Sequence, residues 1–215
     1  YYFSVRATDT DVQVSDTTTS DGVAIDGIDP DINFVSEGLS EDIDIQNLDS
    51  VLTFHWQGTD NDSGSGIAFY EVALGTTAGD SNSVDWFVNQ DTLATLDSLD
   101  LTDGEIYYVS IRATDIAGNR SMISSSDGIL IDVSDPLLGT VNDGNLDYTS
   151  TTTSLSASWT GFIDTVSSVA SYEVALGNTA EDDIVAWTNV DTNTTQTFTD
   201  LTLLNAVEYH VHVRA

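Results

Sequence analysis

The residues of this chain best suited to chemistry are its aspartates. Asp60-Asn61-Asp62-Ser63-Gly64 carries an Asp-x-Asp-x-Gly spacing, a partial match to loops that bind Ca2+ through oxygen. It lacks the bidentate Glu that closes the helix–loop–helix type of site. A second acidic turn runs Asp115-Ile116-Ala117-Gly118-Asn119. Asp also suits plain turns, because its carboxylate accepts from backbone amides nearby. His210 and His212 stand two residues apart, so they share one face of a strand, a spacing that can hold a metal. Catalytic signatures are missing: there is no Gly-x-Ser-x-Gly, no metalloprotease helix and no phosphate loop. An acid pair for sugar hydrolysis needs a cleft, and no unique, deep insertion supplies one. The chain reads as non-enzymatic.

Charge narrows the partners. Thirty-six acidic residues face four Arg and no Lys over 215 residues, a formal net charge of −32. Such a surface repels nucleic acid and anionic lipid, and it repels itself unless salt or bound cations screen it. No Cys is present, which excludes disulfides and thiolate metal sites. Hydrophobic residues make up 40%, enough for packed cores. No apolar run is long enough to insert in a membrane. The opening Tyr1-Tyr2-Phe3-Ser4-Val5 reads as a strand rather than an export signal, so any such signal is expected outside this segment.

The elements that position these residues repeat. Tyr70-Glu71-Val72-Ala73-Leu74-Gly75 recurs as Tyr172-Glu173-Val174-Ala175-Leu176-Gly177, an offset of 102. Trp56 recurs as Trp159 and Trp86 as Trp187. Val5-Arg6-Ala7 returns at Ile111-Arg112-Ala113 and Val213-Arg214-Ala215, and Ser20-Asp21-Gly22 returns at Ser126-Asp127-Gly128. The period is one sandwich domain long. Its phase predicts the last two strands of one repeat at 1–28, a complete domain at 29–134, and a domain lacking its final strand at 135–215. Whether that strand comes from the same chain or a neighbouring copy is open. The histidine pair has no counterpart in the other copies, where Tyr108/Ser110 and Tyr2/Ser4 stand, so a solvent-facing strand surface accounts for it.

Apolar residues alternate with period two at Leu52/Phe54/Trp56, Tyr70/Val72/Leu74 and Tyr107/Val109/Ile111/Ala113, and Asp/Asn/Gly clusters separate the runs. The two prolines, Pro30 and Pro136, sit between repeats. A Trp on the second strand and a Leu…Gly…Tyr-x-Val-x-Ile-x-Ala run (Leu101, Gly104, Tyr107, Val109, Ile111, Ala113) resemble the fibronectin type III family. The phrases Arg112-Ala113-Thr114-Asp115-Ile116-Ala117-Gly118-Asn119 and Ser65-Gly66-Ile67 are similar to repeats of large bacterial surface and secreted proteins. In the next repeat Ala206 replaces the Gly. The resemblance implies an all-β chain of tandem Ig-like β-sandwiches, with Trp56 and Trp159 in the cores. It makes Tyr107 and Tyr209 the tyrosine corners.

The resemblance also places the strand of Glu71 beside that of Arg112, giving outward ion pairs Glu71–Arg112 and Glu173–Arg214, each worth ~0.2–1 kcal/mol. It brings three acidic features to one pole: the linker (Asp26, Asp29, Asp31), the loop after Trp56 (Asp60, Asp62) and the loop after Arg112 (Asp115, Asn119). Ca2+ held there by Asp29, Asp60, Asp62, Asp115 and Asn119 would neutralise the acids and stiffen the joint. The next joint offers fewer acids, Asp132, Asp135 and Asp164. Trp86 and Trp187 suit sugar stacking if exposed, but recurrence at one repeat position favours packing. The functional expectation is an extracellular stalk, adhesin or filament segment whose partners are neighbouring repeats, neighbouring copies in a fibre, or glycans. The alternative is an accessory spacer or weak carbohydrate-binding module of a secreted polysaccharide-degrading enzyme. Asn61, Asn119 and Asn193 begin glycosylation acceptor patterns that matter only in a eukaryotic source.

Overall fold

A computed structural model describes residues 1–61, 64–144, 148–179 and 181–215. The chain divides into two compact units, Tyr1–Ile131 and Asp132–Ala215, and every regular element among the described residues is a strand.

In the first unit β1 (Ser4–Val5) pairs antiparallel with β2 (Thr18–Thr19). The sandwich follows as β3 (Asp31–Glu37), β4 (Ile45–Gln46), β5 (Val51–Thr59), β6 (Ile67–Gly75), β7 (Val84–Asn89), β8 (Leu93–Asp97), β9 (Ile106–Asp115), β10 (Ser124–Ser125) and β11 (Ile129–Ile131). One sheet is ordered β3-β5-β8 and the other β4-β11-β9-β6-β7, with β10 also on β9. This is the strand order of the Ig-like, fibronectin type III β-sandwich. The period-two residues explain it. Leu52, Phe54 and Trp56 from one sheet meet Val72, Leu74, Val109, Ile111, Ile129 and Ile131 from the other, all at 0–2% exposure. Each large side chain so buried contributes about 1.5–3 kcal/mol.

Residues 1–23 repeat the hairpin of β9 and β10 bond for bond. Phe3 and Ser20 exchange amide–hydroxyl and amide–carbonyl bonds just as Val109 and Ser126 do. Ala7 and Ser15 reproduce Ala113 and Ser121 in the same way. Gly22 and Gly128 share a positive φ (98° and 104°), and a Cβ on either would strike the ring of Tyr2 or Tyr108. The Ser-Asp-Gly motif is thus a backbone device: its Ser ties the hairpin and its Gly admits the tyrosine.

The second unit contains β12 (Thr140–Asn142), β13 (Leu155–Thr160), β14 (Glu173–Gly177), β15 (Val185–Asn189), β16 (Thr195–Phe198) and β17 (His210–Arg214), ordered β12-β13-β16 and β15-β14-β17. Trp159, Val174, Leu176, Phe198, Leu201 and Leu203 form its core. Trp56 and Trp159 each meet a tyrosine ring edge-on, Tyr70 at 5.6 Å and Tyr172 at 5.8 Å.

Both tyrosine corners close as bonds: the Thr102 amide donates to Tyr107 Oη at 3.0 Å and the Leu204 amide to Tyr209 Oη at 2.9 Å. Each turn needs a left-handed residue, Gly104 at φ 78° and Ala206 at φ 63°. A Cβ in that conformation is disfavoured by about 1–2 kcal/mol, partly offset by the greater freedom glycine has when unfolded. Ala206→Gly is therefore expected to stabilise the second unit by about 0.5–1 kcal/mol, measured by denaturant unfolding. Destabilisation would show that the turn is not strained.

Candidate metal centre

At the end of β5, Asp60 turns back on its own loop: its Oδ2 accepts from the Gly66 amide at 2.7 Å and its Oδ1 from the Asn61 amide at 2.8 Å. Gly64 lies so close that a Cβ there would stand 2.3 Å from Asp60 Oδ2. At the end of β9, Asp115 is buried at 2% exposure, and its Oδ1 accepts from the Gly118 and Asn119 amides at 2.6 and 2.8 Å. The third acid is Asp26, whose Oδ2 accepts from the Ser65 amide at 2.6 Å. Chiefly that amide, with the Ser65 hydroxyl and the Ile28 amide, holds the Asp26 carboxyl below its ordinary value. One oxygen from each of Asp26, Asp60 and Asp115 falls within 4.8 Å of the others. Loops after β5 and β9 thus seize a residue of the segment preceding β3.

All three donors are carboxylates, which suits a hard cation, and Ca2+ tolerates the irregular geometry better than Mg2+. Asn119 acts as a donor here: its Nδ2 bonds Asp115 Oδ2 at 2.7 Å and the Asp26 carbonyl at 3.3 Å. Asp29 is exposed and outside this group, and Asp31 is exposed at the start of β3, opposite Thr59. Asp62 lies outside the described residues. The linker residue that joins the acidic group is therefore Asp26, because its carboxylate reaches the Ser65 amide. Asp132 and Asp164 cap local turns, accepting from Ser134 and from Val166 and Ser167, and join no such group among the described residues. His210 and His212 lie with ring centres 6.3 Å apart, and His210 is 3.9 Å from Glu208. Neither histidine belongs to a cluster of three ligands among the described residues.

The β6–β9 register sets Glu71 opposite Arg112, and β14–β17 sets Glu173 opposite Arg214. Arg112 donates twice to Glu71, at 2.9 and 3.0 Å, and Arg120 adds a third contact. Arg112, foremost, holds the Glu71 carboxyl below its ordinary value. Each paired guanidinium also covers an indole at 4.3 Å, Arg112 on Trp86 and Arg214 on Trp187. The two tryptophans therefore share their faces with arginine, half-buried. The two pairs differ in shielding: 21% and 15% exposure for Arg112 and Glu71, against 56% and 38% for Arg214 and Glu173. Arg112→Ala is expected to cost about 2 kcal/mol and Arg214→Ala under about 1 kcal/mol in denaturant melts. Equal costs would refute the distinction.

One functional candidate has no signal in simple periodicity. Glu37, the last residue of β3, is at 0% exposure, with its Oε1 accepting from the Ser126 hydroxyl. With Asp42 and Asp127 it forms the second group of three acids, among the described residues, whose oxygens lie within 4.8 Å of one another. The signal that could have found it is an acid followed by a left-handed glycine at the end of the first sandwich strand. Glu37-Gly38 (φ 92°) recurs as Asp143-Gly144 (φ 108°).

No protein-family model matches the chain. It is 30% identical over 225 residues to Exoglucanase B of Cellulomonas fimi, a match that takes in all of this chain and 18% of that protein. The chain thus spans under a fifth of that relative. Among solved structures it is similar to the FN1–FN3 domains of chicken CNTN1, at 18% identity, a TM-score of 0.43, and coverage of 99% of this chain and 68% of that one.

Proposed function

We propose that this chain is a non-catalytic, extracellular spacer, in which Ca2+ bound by Asp26, Asp60 and Asp115 fastens a fibronectin-like sandwich to the segment before it. The observation that carries the reading is that Asp26 belongs to the incoming segment while Asp60 and Asp115 belong to the sandwich. A cation shared by the three would turn a linker into a fixed joint. The hairpin at residues 1–23, built like β9–β10, supports reading that segment as the end of a preceding domain. Neighbouring repeats, or neighbouring copies in a fibre, are the partners such a spacer would have.

Proteolysis tests it. With Ca2+, residues 24–30 are expected to resist a nonspecific protease at least tenfold longer than in chelator. Asp60→Asn should remove that protection. Equal cleavage rates with and without Ca2+ would sink the joint.

The similarity to Exoglucanase B favours one setting for the spacer, an accessory segment of a secreted polysaccharide-degrading enzyme, over an adhesin or filament. Within that setting, spacing is better supported than sugar binding, because an arginine already occupies a face of each repeated tryptophan. The chain is expected not to co-sediment with insoluble β-glucan. Retention that is lost in Trp86→Ala would instead make it a binding module.

A further inference from the structure

We propose that Glu37, Asp42 and Asp127 form a second hard-cation site, at the seam where β3 meets the last strands of the first sandwich. It stands apart from the joint described above, in both residues and strands, and does not rest on it.

Glu37 faces Phe54 in the β3–β5 register, so its side chain shares the inward face with a core residue. A carboxylate at 0% exposure needs partners for both oxygens. Ser126 supplies one for Oε1, but no donor meets Oε2 among the described residues. Beside this carboxylate stand further acids: one oxygen of Asp42 and one of Asp127 lie within 4.8 Å of a Glu37 oxygen and of each other. The Asp42 carboxylate is pinned beside Glu37 by the Ser36 hydroxyl at 2.8 Å and the Glu37 amide at 3.1 Å, both donating to Oδ1. Asp127 follows Ser126, which is itself fixed to Val109 by two bonds. No described ion pair brings an arginine to this group. An all-carboxylate set with one buried, unpartnered oxygen selects a hard divalent cation over an amine or a soft metal. Asp42 and Asp127 are exposed, so the site opens to solvent on that side and water can complete the shell. Bound there, the ion would clip β3 to the chain between β10 and β11, closing the edge between the two sheets.

The test uses Mn2+ as a paramagnetic probe on the whole chain, displaced by Ca2+. Selective broadening of the Gly38, Ser126 and Asp127 amides is expected, and it should persist in Asp26→Asn/Asp60→Asn. Asp42→Asn/Asp127→Asn changes only exposed side chains and should weaken Mn2+ at this site at least tenfold, leaving Ser65 and Asn119 broadened as before. Broadening at Gly38 and Ser126 no greater than at exposed acids such as Asp97, or unchanged by Asp42→Asn/Asp127→Asn, would overturn the proposal. Broadening at Ser126 without any at Ser65 would support this site and overturn the joint alone.

Discussion

Saturating Ca2+ is expected to raise the melting temperature of the first unit by roughly 10 °C over the same protein in chelator at matched ionic strength. The size follows from linkage. A ligand at a hundred times its Kd, binding only the folded state, stabilises by about 2.7 kcal/mol, and a domain of this size gains a few degrees per kcal/mol. In chelator, Asp26, Asp60 and Asp115 repel across no more than 4.8 Å and are held by amide donors and the Ser65 hydroxyl. Ca2+ converts that repulsion into ligation. Mg2+ should reproduce little of the shift, since it demands near-octahedral geometry and dehydrates reluctantly. Asp26→Asn/Asp60→Asn should lose most of it, and that difference isolates the joint from any other cation site. The double variant also relieves repulsion, so in chelator it should melt close to the unsubstituted chain. The second unit provides an internal control whose transition should not move with it. Equal shifts with Mg2+ and with the double variant would mean that the −32 charge is merely being screened.

The sandwiches were legible because their information is local and repeated. Trp56, Tyr70 and Tyr107 each sit in an alternating run, and alternation alone decides which side chains enter the core. The acidic joint was legible in outline, because a sandwich sends the ends of β5 and β9 to one pole. Which linker acid joins the group was not, because Asp26 against Asp29 depends on where a loop backbone bends. The ion pairs were visible as register, but Arg120 on Glu71 and Trp86 against Arg112 approach from other parts of the chain. Glu37 shows the limit most clearly. Acids end many strands, and only the return of Ser126 over it, 89 residues later, turns an ordinary glutamate into a buried one.

That burial has a consequence in pH. Measured in chelator, so that no cation competes with the proton, the Glu37 contribution to the first unit, on the order of 2 kcal/mol after allowance for solvent screening, is expected to be lost as pH rises from 4.5 to above 7. Desolvation, opposed by the Ser126 bond and reinforced by Asp42 and Asp127, pushes the Glu37 carboxyl up to about 7 from 4.5. A folded state that holds its proton more tightly than the unfolded chain is favoured while the proton stays bound. The contribution is therefore complete below about 4.5 and is lost as pH climbs through 7. His55 Nδ1 donates to the Gly38 carbonyl at 3.1 Å, and His55 is the one histidine bonded near this seam among the described residues. Other acids work the opposite way: Glu71 and Asp26, held low by their donors, contribute above their unfolded values and lose that contribution as pH falls through their folded ones. The two trends separate because Glu37 titrates above them. Glu37→Gln keeps the shape, cannot ionise, and can donate toward Asp42 and Asp127. It should flatten the profile between pH 5 and 7.5 and leave the variant more stable than the unsubstituted chain at pH 8. General repulsion from the net charge steepens both profiles alike, so their difference reports Glu37 alone. Parallel profiles would show that Glu37 is ionised and satisfied at neutral pH, through a donor or ion supplied from outside the chain.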